Sequence, residues 1–162
     1  MKIPRAFFPV LLLGFGAPRL PADAVTPAAA ATIVLDWQTD FAAAVAQAKA
    51  ENKVVVINFT GSDWCVWCHR LRDEVFLTKP FADFSRDQAV IVELDFPRET
   101  ELPAELKKQN DALAAKYDVR GYPTVLVLSS DGELKGRLGY MQGGPKTFIR
   151  EVKRMAARSP KS

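Results

Sequence analysis

Cys65 and Cys68 are the only cysteines in the 162-residue chain, so neither has another internal partner. Two intervening residues bring their sulfurs within bonding distance on a first helical turn. They sit in Lys53 to Leu71, KVVVINFTGSDWCVWCHRL. A β-branched apolar run, Val54 to Phe59, passes through a polar turn, Thr60 to Asp63, into Cys65-Val66-Trp67-Cys68. Leu71 and Val75 then follow at helical spacing. Strand, turn, Cys-x-x-Cys and helix together suit thiol–disulfide exchange. A helix start offers unpaired N–H groups and the positive end of a dipole, and both stabilise a thiolate. On this reading Cys65, at the exposed start of the helix, is the nucleophile. Cys68, one turn in and less accessible, resolves the mixed disulfide.

Other chemistries compete for the same residues. A structural disulfide or a pair of inert thiols is the plainest. Cys65-Val66-Trp67-Cys68-His69 also fits the c-type haem pattern C-x-x-C-H, which would make His69 an axial ligand. A β-branched strand feeding directly into the motif argues against the mainly helical cytochromes, and Met155 falls where a core residue is expected. Zinc at Cys65, Cys68 and His69 lacks a second ligand pair, since His69 is the sole histidine. The expectation is therefore no metal and no cofactor. His69 is placed on the exposed side of its helix. Trp67 cannot easily be buried between two cysteines and should form an apolar surface for a docking polypeptide. Trp64 either shares that role or packs on the sheet.

The surrounding pattern predicts an α/β fold, a central mixed sheet with helices on both faces. Thr32 to Leu35 suggests a short edge strand. Thr39 is placed as the cap of a helix with Phe41, Ala44, Val45 and Ala48 on one face, ending at Asn52 and Lys53. Val54 to Phe59 is apolar at consecutive positions, as a strand covered on both faces requires. The cysteine helix should run to about Leu77. Thr78-Lys79-Pro80 then caps a shorter helix through Phe81 and Phe84. Ala89 to Leu94 reads as a second central strand and Asp95 to Leu102 as a polar loop. Pro103 opens a helix with Leu106, Leu113 and Tyr117 inward. Thr124 to Leu128 and Glu133 to Tyr140 form a hairpin about Ser130-Asp131-Gly132. Gly143-Gly144-Pro145 starts a last helix, with Phe148, Ile149, Val152 and Met155 inward and Lys146, Arg150, Lys153 and Arg154 outward.

Trp64-Cys65-Val66-Trp67-Cys68 after a hydrophobic strand, with Gly121-Tyr122-Pro123-Thr124 downstream, resembles the thioredoxin superfamily. The similarity extends in particular to periplasmic thioredoxin-like reductases such as the C-terminal thioredoxin domain of DsbD, which shares Asp-Trp-Cys-Val. It covers roughly residues 37 to 158. The resemblance implies a thioredoxin-like fold and a protein-disulfide reductase. It also implies a cis Pro123 facing the cysteines and substrate contacts at Trp64, Trp67, Tyr122 and Pro123. Partners would be protein disulfides and an unidentified upstream thiol donor. The family often buries an acid beneath the cysteines as a proton relay. The matching position here is Asn58, which cannot titrate, so Glu93 on the adjacent strand or Asp63 beside Trp64 would have to serve. Residues 97–110 read as an insertion relative to thioredoxin. An oxidase or isomerase, and a redox-inert binding module, are the alternatives to a reductase.

The N-terminus carries Lys2 and Arg5, an apolar run from Ala6 to Ala17, and Ala22-Asp23-Ala24. This is a secretory signal pattern over residues 1–24, and it places the protein in the periplasm or outside the cell. The run is short for a bilayer and holds Pro9; an uncleaved anchor is the alternative. Residues 25–36 then form a flexible lead-in, 37–158 the domain and 159–162 a tail. Cleavage removes three basic residues and one acidic one, lowering the formal charge from +3 to +1. No basic run lies among exposed aromatics, so nucleic-acid binding is not expected, and the protein is read as a monomer.

Overall fold

The computed structural model describes residues 33–158. The expected signal peptide (1–24), the tail (159–162) and most of the lead-in lie outside the described residues. The sheet is built around β2 (Val54–Thr60), of which all but the first residue are buried. Burial on both faces leaves its backbone groups no water, so both edges must be paired. One edge runs parallel to β3 (Ala89–Asp95) and the other antiparallel to β4 (Thr124–Leu128). β1 (Trp37–Gln38) lies outside β3 and β5 (Leu134–Leu138) outside β4, giving the order β1-β3-β2-β4-β5.

The edge strand is not where the β-branched residues suggest. It forms at Trp37 and Gln38, paired with Ile91 and Val92, and residues 33–35 are irregular. Aromatic burial decides the matter. Trp37 packs on Phe76 and Phe81, with centroids 5.1 and 6.4 Å apart, whereas Val34 is exposed. Helix α1 (Phe41–Glu51) is capped by Asp40, not Thr39. The Asp40 carboxylate accepts the Ala43 N–H at 3.0 Å, which a side chain one residue earlier cannot do in the same geometry.

Helix α2 (Val66–Leu71) follows the cysteine turn and continues as a π-helical turn, Arg72–Phe76, ending at Leu77. The end matches expectation; the wider turn does not. Then come α3 (Lys79–Gln88), α4 (Ala104–Lys116) and α5 (Gly144–Ala156). Pro80 occupies the first turn of α3, but the Thr78 hydroxyl donates back to Val75 O at 2.6 Å and caps nothing ahead of it.

Strand alternation sorts the core into two layers. Val56, Ile91, Val125 and Val127 meet Leu71, Val75 and Phe76 with α3 and α5 on one face. Val55, Ile57, Phe59, Val92 and Leu126 meet α1 and α4 on the other. The helices therefore lie on both faces of a mixed sheet, as the sequence pattern requires. Gln109 ties the second layer at its edge: its side-chain oxygen accepts the Phe41 N–H at 3.1 Å, and its amide donates to Thr39 O at 2.8 Å.

Phe76 sits where Trp37, Phe81 and Phe148 converge. Phe76→Ala should cost about 3–5 kcal/mol, the range for truncating a buried aromatic side chain. Asp40→Ala should cost about 1 kcal/mol, the loss of one cap. Urea unfolding of the two variants checks both; equal losses would show that the aromatic cluster is not the stronger fastening.

Candidate active site

The polar turn leaving β2 is fastened to the loop after β3. Gly61 O accepts the N–H groups of Trp64 and Cys65 at 3.4 and 2.9 Å. A side chain at Gly61 would lie 2.5 Å from the Trp64 indole, so the close approach requires glycine. Ser62 donates its N–H and hydroxyl to the Asp95 carboxylate at 2.8 and 2.5 Å. Asp63 accepts the backbone N–H groups of Arg98 and Glu99 at 3.0 and 2.8 Å, and these bonds, that of Glu99 foremost, hold its pKa below the ordinary carboxylate value. The Trp64 indole N–H donates to Phe96 O at 2.9 Å. The Arg98 guanidinium lies 3.8 Å over that indole, and Tyr122 meets it edge-on at 5.6 Å. Trp64 is thus half-buried and tied down, which settles its placement.

The cysteines follow as a disulfide, with Cα atoms 5.2 Å apart. Cys65 is the N-cap of α2, and its sulfur accepts the Cys68 N–H at 3.2 Å. The expected contrast in accessibility is absent: Cys65 is 4% exposed and Cys68 5%. What distinguishes the two is the donor. A helical N–H points at Cys65, and Cys68 supplies it.

His69 is half-buried. Its Nε2 lies 2.7 Å from Ser62 O, and since a carbonyl only accepts, Nε2 carries the hydrogen. Met155 is buried in the core against Gly136, not at the cysteine end. Among the described residues no group of three or more His, Cys, Asp or Glu side chains gathers at a metal-binding distance. Trp67 is 52% exposed and Val66 66%. Tyr140 packs on Trp67 at 5.1 Å. Its hydroxyl donates to Glu74 at 2.7 Å, which holds the phenol above its ordinary pKa.

The Tyr122–Pro123 peptide bond is cis. Thr124, next in the chain, pairs with Phe59, so Pro123 lies at the end of the sheet from which the cysteine turn departs. Asn58 and Glu93 are register partners on the face covered by α2 and the π turn. The Asn58 amide donates to Glu93 Oε2 at 3.3 Å, and its own oxygen is buried without a hydrogen-bond partner. Burial pushes the Glu93 pKa up. The Asn58 bond and the more distant charge of Arg72 oppose that shift, and Asp95 adds to it.

The pattern of the thioredoxin-like domain family matches residues 41–156 of this sequence. The chain belongs to the thioredoxin-like family. It is 34% identical over 127 residues to "Disulfide bond reductase DsbH" of Chlamydia pneumoniae, spanning 78% of this chain and 75% of that protein. A solved structure described as "DsbH Oxidoreductase" superposes with a TM-score of 0.73 at 29% identity, over 89% of this chain and 96% of the other. The reduced C-terminal domain of Neisseria meningitidis DsbD shares the fold, with a TM-score of 0.52 at 23% identity over 70% and 91%. The chain is a thiol–disulfide oxidoreductase of the Dsb type.

Within this thioredoxin-like chain, the structure brings Trp64 and Tyr122 together and places Trp67 apart from them, on Tyr140. Arg98 and Tyr140 were not foreseen in the sequence. Arg98 stands in a polar loop and Tyr140 at a strand end, each far along the chain from its partner tryptophan. An exposed Trp between the cysteines, in need of a neighbour, was the available signal.

Glu93 yields a pH-dependent prediction. Its folded pKa lies above the ordinary value of 4.5, so the folded state keeps a proton that the unfolded chain has lost. Stability therefore falls as pH rises from about 4.5 through the folded pKa, and the loss is complete above it. Glu93→Gln keeps the shape and a partner for Asn58 without the charge. It should be more stable than the parent at neutral pH, with the difference vanishing below about pH 4.5. Denaturation curves across this range test it, and a variant less stable at pH 7 would contradict it.

Proposed function

We propose that this chain is an exported protein-disulfide reductase. The observation that carries the reading is the Cys65–Cys68 disulfide at the start of α2, with a helical N–H directed at Cys65. In the reduced form Cys65, as thiolate, attacks one sulfur of a substrate disulfide. The substrate bond breaks, one substrate thiolate leaves, and a mixed disulfide forms. Cys68, deprotonated, then attacks Cys65, releases the second substrate thiolate and closes the Cys65–Cys68 bond. The substrate has gained two electrons and the pair has lost two. A thiol donor upstream returns them.

Trp64, Trp67, Tyr122 and Pro123 are the substrate-facing residues in this reading. Trp64 holds the cysteine turn in place as much as it offers surface. Of the two carboxylates considered for the proton relay, Glu93 suits the task. Burial raises its pKa, and it lies on the face beneath α2. Asp63 is engaged by backbone N–H groups that favour its charged form. The Lys2-to-Ala24 pattern supports export, with protein disulfides as substrates and a monomer as the working unit.

The direction follows from two opposing effects. The helix end stabilises the Cys65 thiolate. Burial of both sulfurs opposes it, since desolvation raises a thiol pKa, and Val66 and Trp67 contribute no charge. A weakly stabilised thiolate favours the disulfide, and a favoured disulfide marks a pair that gives up electrons readily. The relative named as a reductase agrees with this direction.

Two experiments test the reading. Cys68→Ser should trap a mixed disulfide through Cys65, while Cys65→Ser traps little; equal trapping would contradict the assigned roles. Titration against glutathione should place the pair at roughly −270 to −220 mV, near thioredoxin. A value near the strong oxidant, about −120 mV, would replace the reductase with an oxidase.

A further inference from the structure

Trp67 is held from outside its own helix. Tyr140, in the segment between β5 and α5, lays its ring on the indole at 5.1 Å with a 43° tilt. The same residue donates its hydroxyl to Glu74 at 2.7 Å. Trp67, Arg70 and Glu74 are spaced i, i+3 and i+7, which aligns them along one face of the helical run. Tyr140 spans that face, ring at one end and hydroxyl at the other. The Arg70 guanidinium lies 5.1 Å from the indole centroid. A side chain this exposed ordinarily samples several rotamers; this one has two neighbours, and the larger is itself anchored.

We propose that Tyr140, anchored by Glu74, is a positioning residue that holds Trp67 as a preformed platform for an apolar side chain flanking the cysteine of a polypeptide disulfide. This rests on the exchange chemistry proposed above. The occupant follows from the geometry of access. Both sulfurs are nearly covered, while Val66 and Trp67 project between them. A disulfide that reaches Cys65 brings its flanking residues down beside those two side chains. A polypeptide has a residue to place there; a small disulfide does not. Fixing the indole in advance lowers the side-chain entropy lost on docking. The hydroxyl matters because a phenylalanine at 140 keeps the ring but loses the tether.

The test uses the reduced full chain in single-turnover reactions at varied substrate concentration. One substrate is a peptide disulfide with leucine beside each cysteine; the other is bis(2-hydroxyethyl) disulfide. Tyr140→Phe and Glu74→Ala should each raise the half-saturating peptide concentration about fivefold, the size of effect expected from one lost hydrogen bond. The limiting rate, the rate with the small disulfide and the redox potential should not change. Trp67→Ala, which removes the platform itself, should weaken the peptide further. An unchanged half-saturating concentration in Tyr140→Phe overturns the proposal. So does parallel slowing with the small disulfide, which would place the effect on the sulfurs. A second readout needs no turnover. The indole N–H order parameter of Trp67 should drop in Tyr140→Ala, and an unchanged value overturns the positioning role. A parent chain that reduces neither disulfide overturns the exchange reading instead, so the two failures are told apart.

Discussion

The backbone of β2 has no access to water for most of its length, and this constraint governs the rest of the molecule. A strand buried on both faces must find hydrogen-bond partners at both edges and apolar cover above and below. β3 and β4 supply the edges; the two helical layers supply the cover. The strand's end is thereby fixed, and the cysteine turn leaves from it. Placement of the reacting sulfurs is a consequence of core packing, since no loop flexibility intervenes between Thr60 and the first helical turn that is not tied to the neighbouring 95–99 segment.

Much of this was legible in the sequence because it depends on local periodicity. The apolar run Val54 to Ile57, resumed at Phe59 after Asn58, marked a central strand. The Phe148, Val152, Met155 spacing marked the inner face of α5, and the Ser130-Asp131-Gly132 turn set the β4–β5 hairpin. The misplacements have a common cause. Ile33 to Leu35 has strand composition, but Trp37 wins the edge through ring contacts with residues about 40 positions away. Asp40 takes the cap from Thr39 by a single step in register. A π turn leaves the apolar spacing of Leu71, Val75 and Phe76 almost as an α-helix would have it, so the pattern carries no sign of it.

At the site, residue types were legible and their surroundings were not. Cys-x-x-Cys after a strand identified the chemistry. The Asp63 and Trp64 tethers on either side of the turn into Cys65 join segments more than 30 residues apart. Asn58 at the position where the resemblance implies an acid was visible, and Glu93 and Asp63 were the two carboxylates read as able to serve in its place. The direct pairing of Asn58 with Glu93 follows from parallel register between β2 and β3, which a sequence alone does not supply. The unpartnered Asn58 oxygen beside a carboxyl of raised pKa marks a polar break in a largely apolar layer.

The tethers of the cysteine turn also divide labour along the chain. Three residues of the 96–99 stretch meet the turn, and the hydrogen bonds they give or take there use backbone atoms: Phe96 N and O, Arg98 N and Glu99 N. Side-chain identity in that stretch is therefore released from those hydrogen bonds, while the Arg98 guanidinium over the Trp64 indole is a separate fastening. The same stretch continues through Thr100 to Leu102 and lines a cavity of about 480 Å³ against the start of α4. Substitution at Glu101 or Leu102, further along the cavity wall, leaves those backbone bonds standing. Descendants of one such chain can diversify the rim of their active centre while inheriting its chemistry intact.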